Sequence, residues 1–216
     1  MDASSRKIPS HELTYARLRD MVLFGRLEPG QPVTIQGLCA ALDAGMTPVR
    51  EAIRRLTAEA ALAPQGNRRV AVPQLSRADV DQLAFARLAI EPHLVDRAAA
   101  RLTPALITRL TALDAQVDGA IAAGQISDYL ASNHAFLFAL YEASDAPVLV
   151  DMARALWLRF GPSLRVVCAR YGAGVLLDRH KEALAAMRAG DVVGLVRAMR
   201  DDITDGIEGV RGTIAG

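Results

Sequence analysis

Polar and charged side chains interrupt apolar helical stripes in the C-terminal two-thirds of this 216-residue chain. Arg87 and Glu91 are one helical turn apart, and Asn133, His180 and Asp202 each fall within an apolar pattern of helical period. A charge buried in an apolar interior must find a partner or line a wet cavity, because leaving it unpaired is costly. We therefore expect these side chains to share a polar cavity inside a helical domain.

Three uses of such a cavity fit the residue types. The side chains could pair internally, His180 with Asp202 and Arg87 with Glu91, and only fix the helices. A divalent metal could be held by Asn133, His180 and Asp202 with help from His134, although an amide oxygen is a weak ligand. Alternatively, Arg87 could bind the carboxylate of a small acid directly, through the fork of its guanidinium group.

A second group of side chains indicates a DNA-binding surface. From Thr47 onward, a helical projection places apolar residues on one face (Val49, Ala52, Ile53, Leu56 and Ala60). The opposite face carries Thr47, Arg50, Glu51 and Arg54. A short helix over residues 34–42 and a break at 43–45 precede it, which together give a helix-turn-helix pattern.

Two short strands and a basic hairpin follow the third helix. The strands are predicted at 62–64 and 70–73, and the polar segment 65–69 between them ends in Arg68 and Arg69. A basic hairpin beside such a helix suits a wing that lies along phosphates or in the minor groove. Through Leu75 the chain has 10 Lys and Arg against 7 Asp and Glu, whereas the remainder has 15 against 17.

Helices must position almost all of these residues. A first helix is predicted from about His11 to Arg26, Thr34 caps the second, and Thr47 caps the third with Pro48 in the first helical position. Beyond the linker at 73–75, Ser76 and Asp79 form a capping box. Breaks near residues 103–104, 124, 145–147, 171–172 and 190–191 then divide the rest into helices with short connections.

The predicted fold class is mainly α: an N-terminal winged helix-turn-helix followed by an all-α antiparallel bundle of six or seven helices. The expected domains are residues 10–74 and 75–212, with flexible ends at 1–9 and 213–216. No apolar run is long enough for a membrane span, and the first ten residues do not resemble a signal peptide. With Cys39 and Cys168 far apart in apolar patterns, we expect a cytoplasmic protein with reduced thiols.

Two N-terminal strings resemble the GntR family of bacterial regulators. They are Gly25-Arg26-Leu27-x-Pro29-Gly30 and Thr47-Pro48-Val49-Arg50-Glu51-Ala52-Ile53-Arg54-Arg55-Leu56. The helical remainder resembles the FadR-type ligand domain, called FCD, through Arg87-x-x-x-Glu91, residues 139–144, and His180 placed ten residues before Gly190-Asp191. The resemblance covers nearly the whole chain and implies a dimeric, effector-controlled DNA-binding protein, usually a repressor.

The resemblance implies that Thr47 and Arg50 contact DNA. The residue before this threonine is usually an arginine that contacts bases or phosphates, and here it is Met46. The usual wing glycine is Arg69. We therefore expect the operator to differ from the usual one, or other polar residues to share in reading it (Gln36, Arg54 and Arg68).

Many FCD domains bind a divalent metal through one carboxylate and three histidines. Their four positions correspond here to Asn133, Leu137, His180 and Asp202, so one ligand in four is kept in kind. Leucine cannot coordinate a metal. No cofactor is therefore assigned, and the effector-binding prediction rests on Arg87 with the other polar groups (Glu91, Asn133, His134, His180 and Asp202).

The expected function is a ligand-responsive homodimeric transcriptional regulator. It would act as a repressor on a palindromic operator in double-stranded DNA and respond to a small carboxylate metabolite. One alternative is a helical metal-dependent enzyme using His180 and Asp202, but the chain has no nucleophile–base pair, phosphate loop or complete metal motif. Another is a regulator-like interaction module that has lost DNA binding, which the methionine at position 46 would explain.

Overall fold

The computed structural model describes residues 10–172 and 179–214. The ends predicted to be flexible at residues 1–9 and 215–216 lie outside the described residues. Thr213 and Ile214, which were assigned to the flexible C-terminal end, are half-buried, and Ile214 packs against the hydrophobic core.

The N-terminal domain has three helices and a small antiparallel sheet within its described residues. Its elements are α1 (Ser10–Leu23), β1 (Val33–Thr34), α2 (Ile35–Leu42), α3 (Met46–Ala58), β2 (Ala63–Pro64) and β3 (Arg69–Ala71). The strand order is β1-β3-β2, with Val33 opposite Val70 and Ala63 opposite Ala71. The sequence predicted the two wing strands but not β1, because a two-residue strand shows no periodicity.

The start of α3 differs from the prediction. Thr34 caps α2 as expected, with its Oγ1 accepting a hydrogen bond from the backbone N–H of Gly37 at 3.0 Å. Helix α3, however, begins at Met46 with Gly45 as its N-cap, so Thr47 is already helical. The left-handed turn at Asp43 (φ 47°) ends α2 abruptly and brings the chain into α3 earlier. Pro48 is still tolerated, because backbone N–H groups of a first turn have no intrahelical acceptor.

The C-terminal domain consists of six helices in its described part, in agreement with the prediction. They are α4 (Arg77–Ala99), α5 (Pro104–Ala122), α6 (Ile126–Glu142), α7 (Pro147–Tyr171), α8 (His180–Ala189) and α9 (Val192–Arg211). The predicted capping box is present, since Ser76 and Asp79 exchange side-chain and backbone hydrogen bonds. Helix α4 packs against α9, α7 and α6, and α6 also packs against α5 and α7.

The two domains meet where α1 packs against α7. Gly161 of α7 lies under the end of α1, and a Cβ atom there would come within 2.8 Å of the carbonyl oxygen of Leu23. Just beyond α1, Gly25 has a φ of 66°, and a Cβ atom there would meet the Arg165 side chain at 2.5 Å. Glycine at these two positions therefore allows the close approach of the domains.

Candidate functional site

Four of the seven residues predicted to contact DNA line one exposed concave surface. Gln36 at the start of α2, Met46 and Arg50 on α3, and Arg68 in the wing line a cavity of about 150 Å³ that opens there. All four residues are exposed. We name this surface the recognition face, defined by Gln36, Met46, Thr47, Arg50 and Arg68. Its core side is fixed by Val49, Ala52 and Leu56, which are buried as the helical projection predicted.

The N-terminus of α3 presents uncapped backbone donors to this face. No side chain accepts a hydrogen bond at the Gly45 N-cap, and Thr47 is exposed in the first turn. First-turn N–H groups and the positive end of the helix dipole favour a phosphate. Thr47 can therefore contact a phosphate from inside the helix, although it does not cap it.

Arg54 lies farther along α3 and is paired with Glu51. Its Nε and Nη2 donate to the two carboxylate oxygens at 3.0 and 2.6 Å, and its side chain is 73% exposed. The hydrogen bonds from Arg54 lower the pKa of Glu51. Because exposed pairs of this kind contribute little to stability, Arg54 can exchange Glu51 for a phosphate at small cost.

The wing turn has its unusual backbone at Arg68 rather than at Arg69. Gly66, Asn67 and Arg68 have φ values of 65°, 45° and 58°, whereas Arg69 starts β3 without a positive φ. The Arg69 N–H donates to the Gly66 carbonyl at 2.9 Å and closes the turn. The left-handed conformation that glycine prefers is thus adopted by Asn67 and Arg68, next to the position at which the family resemblance implies a wing glycine.

A buried polar cavity lies between α4, α6, α7 and α9 in the C-terminal domain. Its volume is about 30 Å³, and three predicted residues line it: Arg87, Asn133 and Asp202. Aromatic and apolar side chains form the rest of the lining (Tyr129, Trp157, Phe160, Leu164 and Ile203, with Gly206). A space of this size holds about one or two water molecules.

Arg87 is held in place by a buried ion pair and two aromatic rings. Its Nε and Nη2 donate to the Glu91 carboxylate at 2.6 and 3.1 Å, and Tyr141 Oη donates to the same carboxylate at 2.8 Å. The Trp157 and Phe160 ring centroids each lie 4.4 Å from the guanidinium carbon. Burial lowers the pKa of Arg87, but the Glu91 carboxylate more than compensates, and the pKa is raised overall. The side-on edge of the guanidinium is therefore occupied by Glu91, while the Arg87 side chain also lines the cavity.

Asp202 belongs to the rim of the same cavity. It is half-buried, and its Oδ1 accepts a hydrogen bond from the backbone N–H of Arg179 at 3.2 Å. Its negative charge contributes to the raised pKa of Arg87, which shows that the two groups interact electrostatically. The cavity thus carries a guanidinium group, an amide and a carboxylate among aromatic rings.

The two histidines do not line this cavity, contrary to the expectation of a single shared site. His180 is fully buried, stacks on Phe136 with ring centroids 3.8 Å apart, and lies with its Nδ1 3.6 Å from Asp114 Oδ1. The interaction with His180 lowers the pKa of Asp114. The rotation of α8 turns His180 toward α5, so the sequence correctly predicted its burial but not its neighbours.

His134 packs in an aromatic cluster beside α1. It stacks on Phe138 at 4.2 Å between ring centroids and meets Phe24 and Trp157 edge-on. Burial lowers its pKa to about 3, and nearby Arg19 and Arg154 add to the effect. His134 is therefore a half-buried member of this aromatic cluster rather than a lining residue of the polar cavity.

Several residues that matter at this site were not predicted from the sequence. Tyr141 donates a hydrogen bond to Glu91. Trp157 and Phe160 enclose Arg87, and Asp114 contacts His180. Asp114 could have been found, because it falls between Leu110 and Val117 on the buried face of α5. Nothing in the sequence marked the three aromatic residues as part of the site, since aromatic residues at helical spacing are typical of any hydrophobic core.

The residues present do not fit the metal site implied by the family resemblance. Asn133 and Asp202 line the cavity, but His180 does not, and Leu137 is fully buried in the core. In the described ranges, no group of three or more His, Cys, Asp or Glu side chains could hold a metal ion. We therefore assign no chemistry to a metal here.

Within residues 10–172 and 179–214, no helix is both long enough and apolar enough to cross a membrane.

Each of the two domains matches a known protein family. Residues 11–72 match the bacterial regulatory proteins of the gntR family, and residues 82–205 match the FCD domain.

Individual relatives agree with this assignment. The chain is 29% identical over 180 residues to the HTH-type transcriptional regulator McbR of Escherichia coli (strain K12), covering 82% of this chain and 81% of that protein. The solved structure of E. coli McbR/YncC superimposes with a TM-score of 0.88 at 25% identity, over 95% of this chain and 99% of that one. A GntR transcriptional regulator from Rhodococcus sp. RHA1 shares the fold, with a TM-score of 0.77 at 22% identity over 95% and 99% of the two chains. The chain is therefore a GntR-family transcriptional regulator with an N-terminal helix-turn-helix domain and a C-terminal FCD effector-binding domain.

Proposed function

We propose that this regulator represses transcription as a homodimer and releases its operator when a small organic acid binds in the FCD cavity. The recognition face carries the proposal, because Gln36, Met46, Arg50 and Arg68 from three separate elements meet on one exposed concave surface. Its size and charge suit the edge of a major groove with an adjacent phosphate backbone.

Arg50 is the residue we expect to read bases or phosphates from α3. It is exposed, and its guanidinium can fork onto guanine O6 and N7 or onto a phosphate. Arg68 and Arg69 in the wing add phosphate contacts, whereas Met46 offers apolar contact only, for example with a thymine methyl group. This composition supports an operator that differs from those read by an arginine at position 46.

The effector proposal rests on Arg87, the cationic side chain that lines the cavity. With Glu91 on its side-on edge, the guanidinium can still donate end-on from Nη1 to a carboxylate in the cavity. The cavity of about 30 Å³ is too small for an organic acid, so binding must move the helices that enclose it. The effector would thus favour an expanded arrangement over the closed one, which is the differential affinity that regulation requires.

Helix α7 connects the cavity to the DNA-binding domain. Trp157, Phe160 and Leu164 of α7 line the cavity, and Gly161, between them in sequence, lies against the end of α1 at Leu23. A displacement of α7 by the effector would therefore shift α1 directly. This contact supports a coupling in which effector binding changes how the two recognition faces of a dimer are spaced.

Large apolar side chains exposed on the C-terminal domain support dimerisation through that domain. Phe85 on α4 is 78% exposed and Val193 on α9 is 80% exposed. Covering such side chains in a dimer would remove apolar surface from water. Sedimentation of the purified protein tests the proposal, and a monomer at all concentrations would contradict it.

DNA binding is tested by fluorescence anisotropy with a labelled promoter fragment from upstream of the chain's own gene. We expect salt-sensitive binding that Arg50→Ala weakens by about 1–3 kcal/mol. Arg109→Ala is the matched control, because Arg109 is exposed on α5 in the other domain and its loss should change nothing. Equal affinity of the wild type and Arg50→Ala would show that Arg50 does not contact the DNA, and no binding by either protein would favour an interaction module without DNA binding.

The effector arm of the proposal is tested with the same complex. A panel of small mono- and dicarboxylic acids is added to the bound promoter, and the active compound should release the DNA. Asn133→Leu should abolish this release while leaving DNA affinity unchanged, because Asn133 lines the cavity but lies outside the recognition face. Release that persists in this variant would place the effector elsewhere.

A further inference from the structure

A second and much larger cleft lies at the junction of the two domains. Its volume is about 660 Å³, within the range typical of sites for small organic ligands. The DNA-binding side contributes the turn after α1 and the interdomain linker, and the FCD side contributes α7 and the end of α9. The lining residues used below are Glu28, Leu75, Arg165, Val166, Val210 and Ile214.

Arg165 is the charged group on the FCD side of this cleft. It is half-buried, and its Nη1 donates to the neutral hydroxyl of Ser127 at 3.3 Å. In the part of the chain that the structure describes, no carboxylate forms a salt bridge with Arg165, although Arg87 is neutralised by Glu91. A partly desolvated guanidinium without an acidic partner attracts an anion more strongly than one already paired.

One part of the remaining wall is aliphatic, whereas Gln74, Ser163 and Thr213 contribute polar groups. Val210 is buried, Leu75 and Ile214 are half-buried, and Val166 is 39% exposed one residue beyond Arg165. The cleft contains no aromatic side chain among its lining residues. One cationic end and an aliphatic wall match a molecule with an acidic head and a short saturated chain.

We propose that the junction cleft is a second ligand site, which binds a small aliphatic carboxylate with its head at Arg165 and its chain against Leu75, Val166 and Ile214. Such a ligand would touch both domains at once. It would therefore stabilise the arrangement of α1 and the linker on α7 that the structure shows, independently of the FCD cavity.

Glu28 allows an independent test of whether the cleft prefers anionic ligands. It is exposed on the DNA-binding side of the cleft, so its carboxylate opposes the binding of an anion. Replacing Glu28 by Gln should strengthen carboxylate binding, whereas removing Arg165 should weaken it. Changes in opposite directions distinguish a charge-selective site from an apolar groove that accepts any aliphatic molecule.

Isothermal titration calorimetry of the full chain without DNA tests this site, with hexanoate as the probe and 1-hexanol as its uncharged counterpart. We expect hexanoate to bind the wild type and hexanol to bind far more weakly. Arg165→Gln should weaken hexanoate binding by about tenfold or more. Asn133→Leu in the FCD cavity should leave it unchanged, so failure here is separate from failure of the proposed effector cavity.

A second pair of variants keeps the proposal testable if Arg165→Gln folds poorly. Val166→Glu places a negative charge in the cleft at an exposed position, and Val148→Glu places one at a 72% exposed position near the start of α7. The first should abolish hexanoate binding and the second should not. The proposal is overturned if hexanoate does not bind, if hexanol binds equally well, or if only Asn133→Leu reduces binding. Dissociation of a dimer by Val166→Glu without hexanoate binding to the wild type would identify the cleft as a contact between copies, which also overturns it.

Discussion

Arg87 and Glu91 form a bidentate ion pair one turn apart on α4, with both side chains buried and N–O distances of 2.6 and 3.1 Å. The pair lies between two aromatic rings and the Tyr141 hydroxyl. Because Arg87 lines the FCD cavity, the strength of this ion pair affects the stability of the domain. It also affects how readily the Arg87 guanidinium can bind an effector.

We first predict that this pair is strongly coupled. Arg87→Leu or Glu91→Leu alone should lower the free energy of unfolding by about 3–5 kcal/mol, because each leaves a buried charge uncompensated. The double variant should be less destabilised than the sum of the two. Urea unfolding of all four proteins measures the coupling, and additive losses would show that the two charges do not depend on each other.

Below neutral pH, His134 should reduce stability. Its pKa is about 3 in the folded chain, mainly because burial disfavours the charged form. An unfolded histidine takes up a proton near pH 6.5, so the unfolded state binds more protons and stability falls as the pH drops below that value. The slope should be about 1.4 kcal/mol per pH unit once the unfolded histidine is charged.

Replacing His134 by Phe should remove this slope, since a phenyl ring can keep the stacking on Phe138. The measurement is urea unfolding at several pH values between 7 and 5, above the range where Asp and Glu titrate. Parallel pH profiles for the two proteins would mean that His134 is accessible to protons when the chain is folded.

Substitutions in the wing should affect folding stability and DNA binding in different ways. Arg68→Gly relieves a left-handed non-glycine residue and should raise the free energy of unfolding by about 1 kcal/mol. Arg69→Gly places glycine in β3 and should lower it by about 0.5–1 kcal/mol. If each arginine contacts a phosphate, both variants should lose about one unit of the salt dependence of DNA binding.

Thermal unfolding and salt-dependent anisotropy measure these two effects separately. A stability change of the same sign in both wing variants would contradict the assignment of the positive φ to Arg68. An unchanged salt dependence would place the wing away from the DNA.

Two glycine substitutions, one at the domain junction and one on α5, should have opposite effects on stability. Gly161→Ala should lower the free energy of unfolding by up to about 2 kcal/mol, because overpacking against Leu23 outweighs the gain in helix propensity. Gly119→Ala on α5 has nothing within 4 Å of the added Cβ and should stabilise by about 0.5–1 kcal/mol. Stabilisation by both substitutions, measured by urea unfolding, would show that the α1–α7 contact is loose.

Much of this architecture could be predicted from the sequence alone. Local chemistry places the helix ends, because capping side chains such as Thr34 and Ser76 and breaks such as Gly190 act on neighbouring residues. The buried face of α3 likewise follows from helical periodicity, which is a property of one element. For the same reason the helix-turn-helix and the wing could be predicted before any tertiary contact was known, whereas the family was indicated by the resemblance of two N-terminal strings to known regulators.

Tertiary structure decided which of the buried polar groups became neighbours. Periodicity places Arg87, Asn133, His180 and Asp202 on inner faces, but the rotation and translation of each helix determine what each side chain meets. Thus Arg87 and Asp202 line one cavity, His180 turns toward Asp114, and His134 joins an aromatic cluster. The junction cleft was beyond prediction for the same physical reason: its walls come from the separate segments 25–29, 74–75, 163–169 and 210–214, whose proximity depends on how the two domains pack.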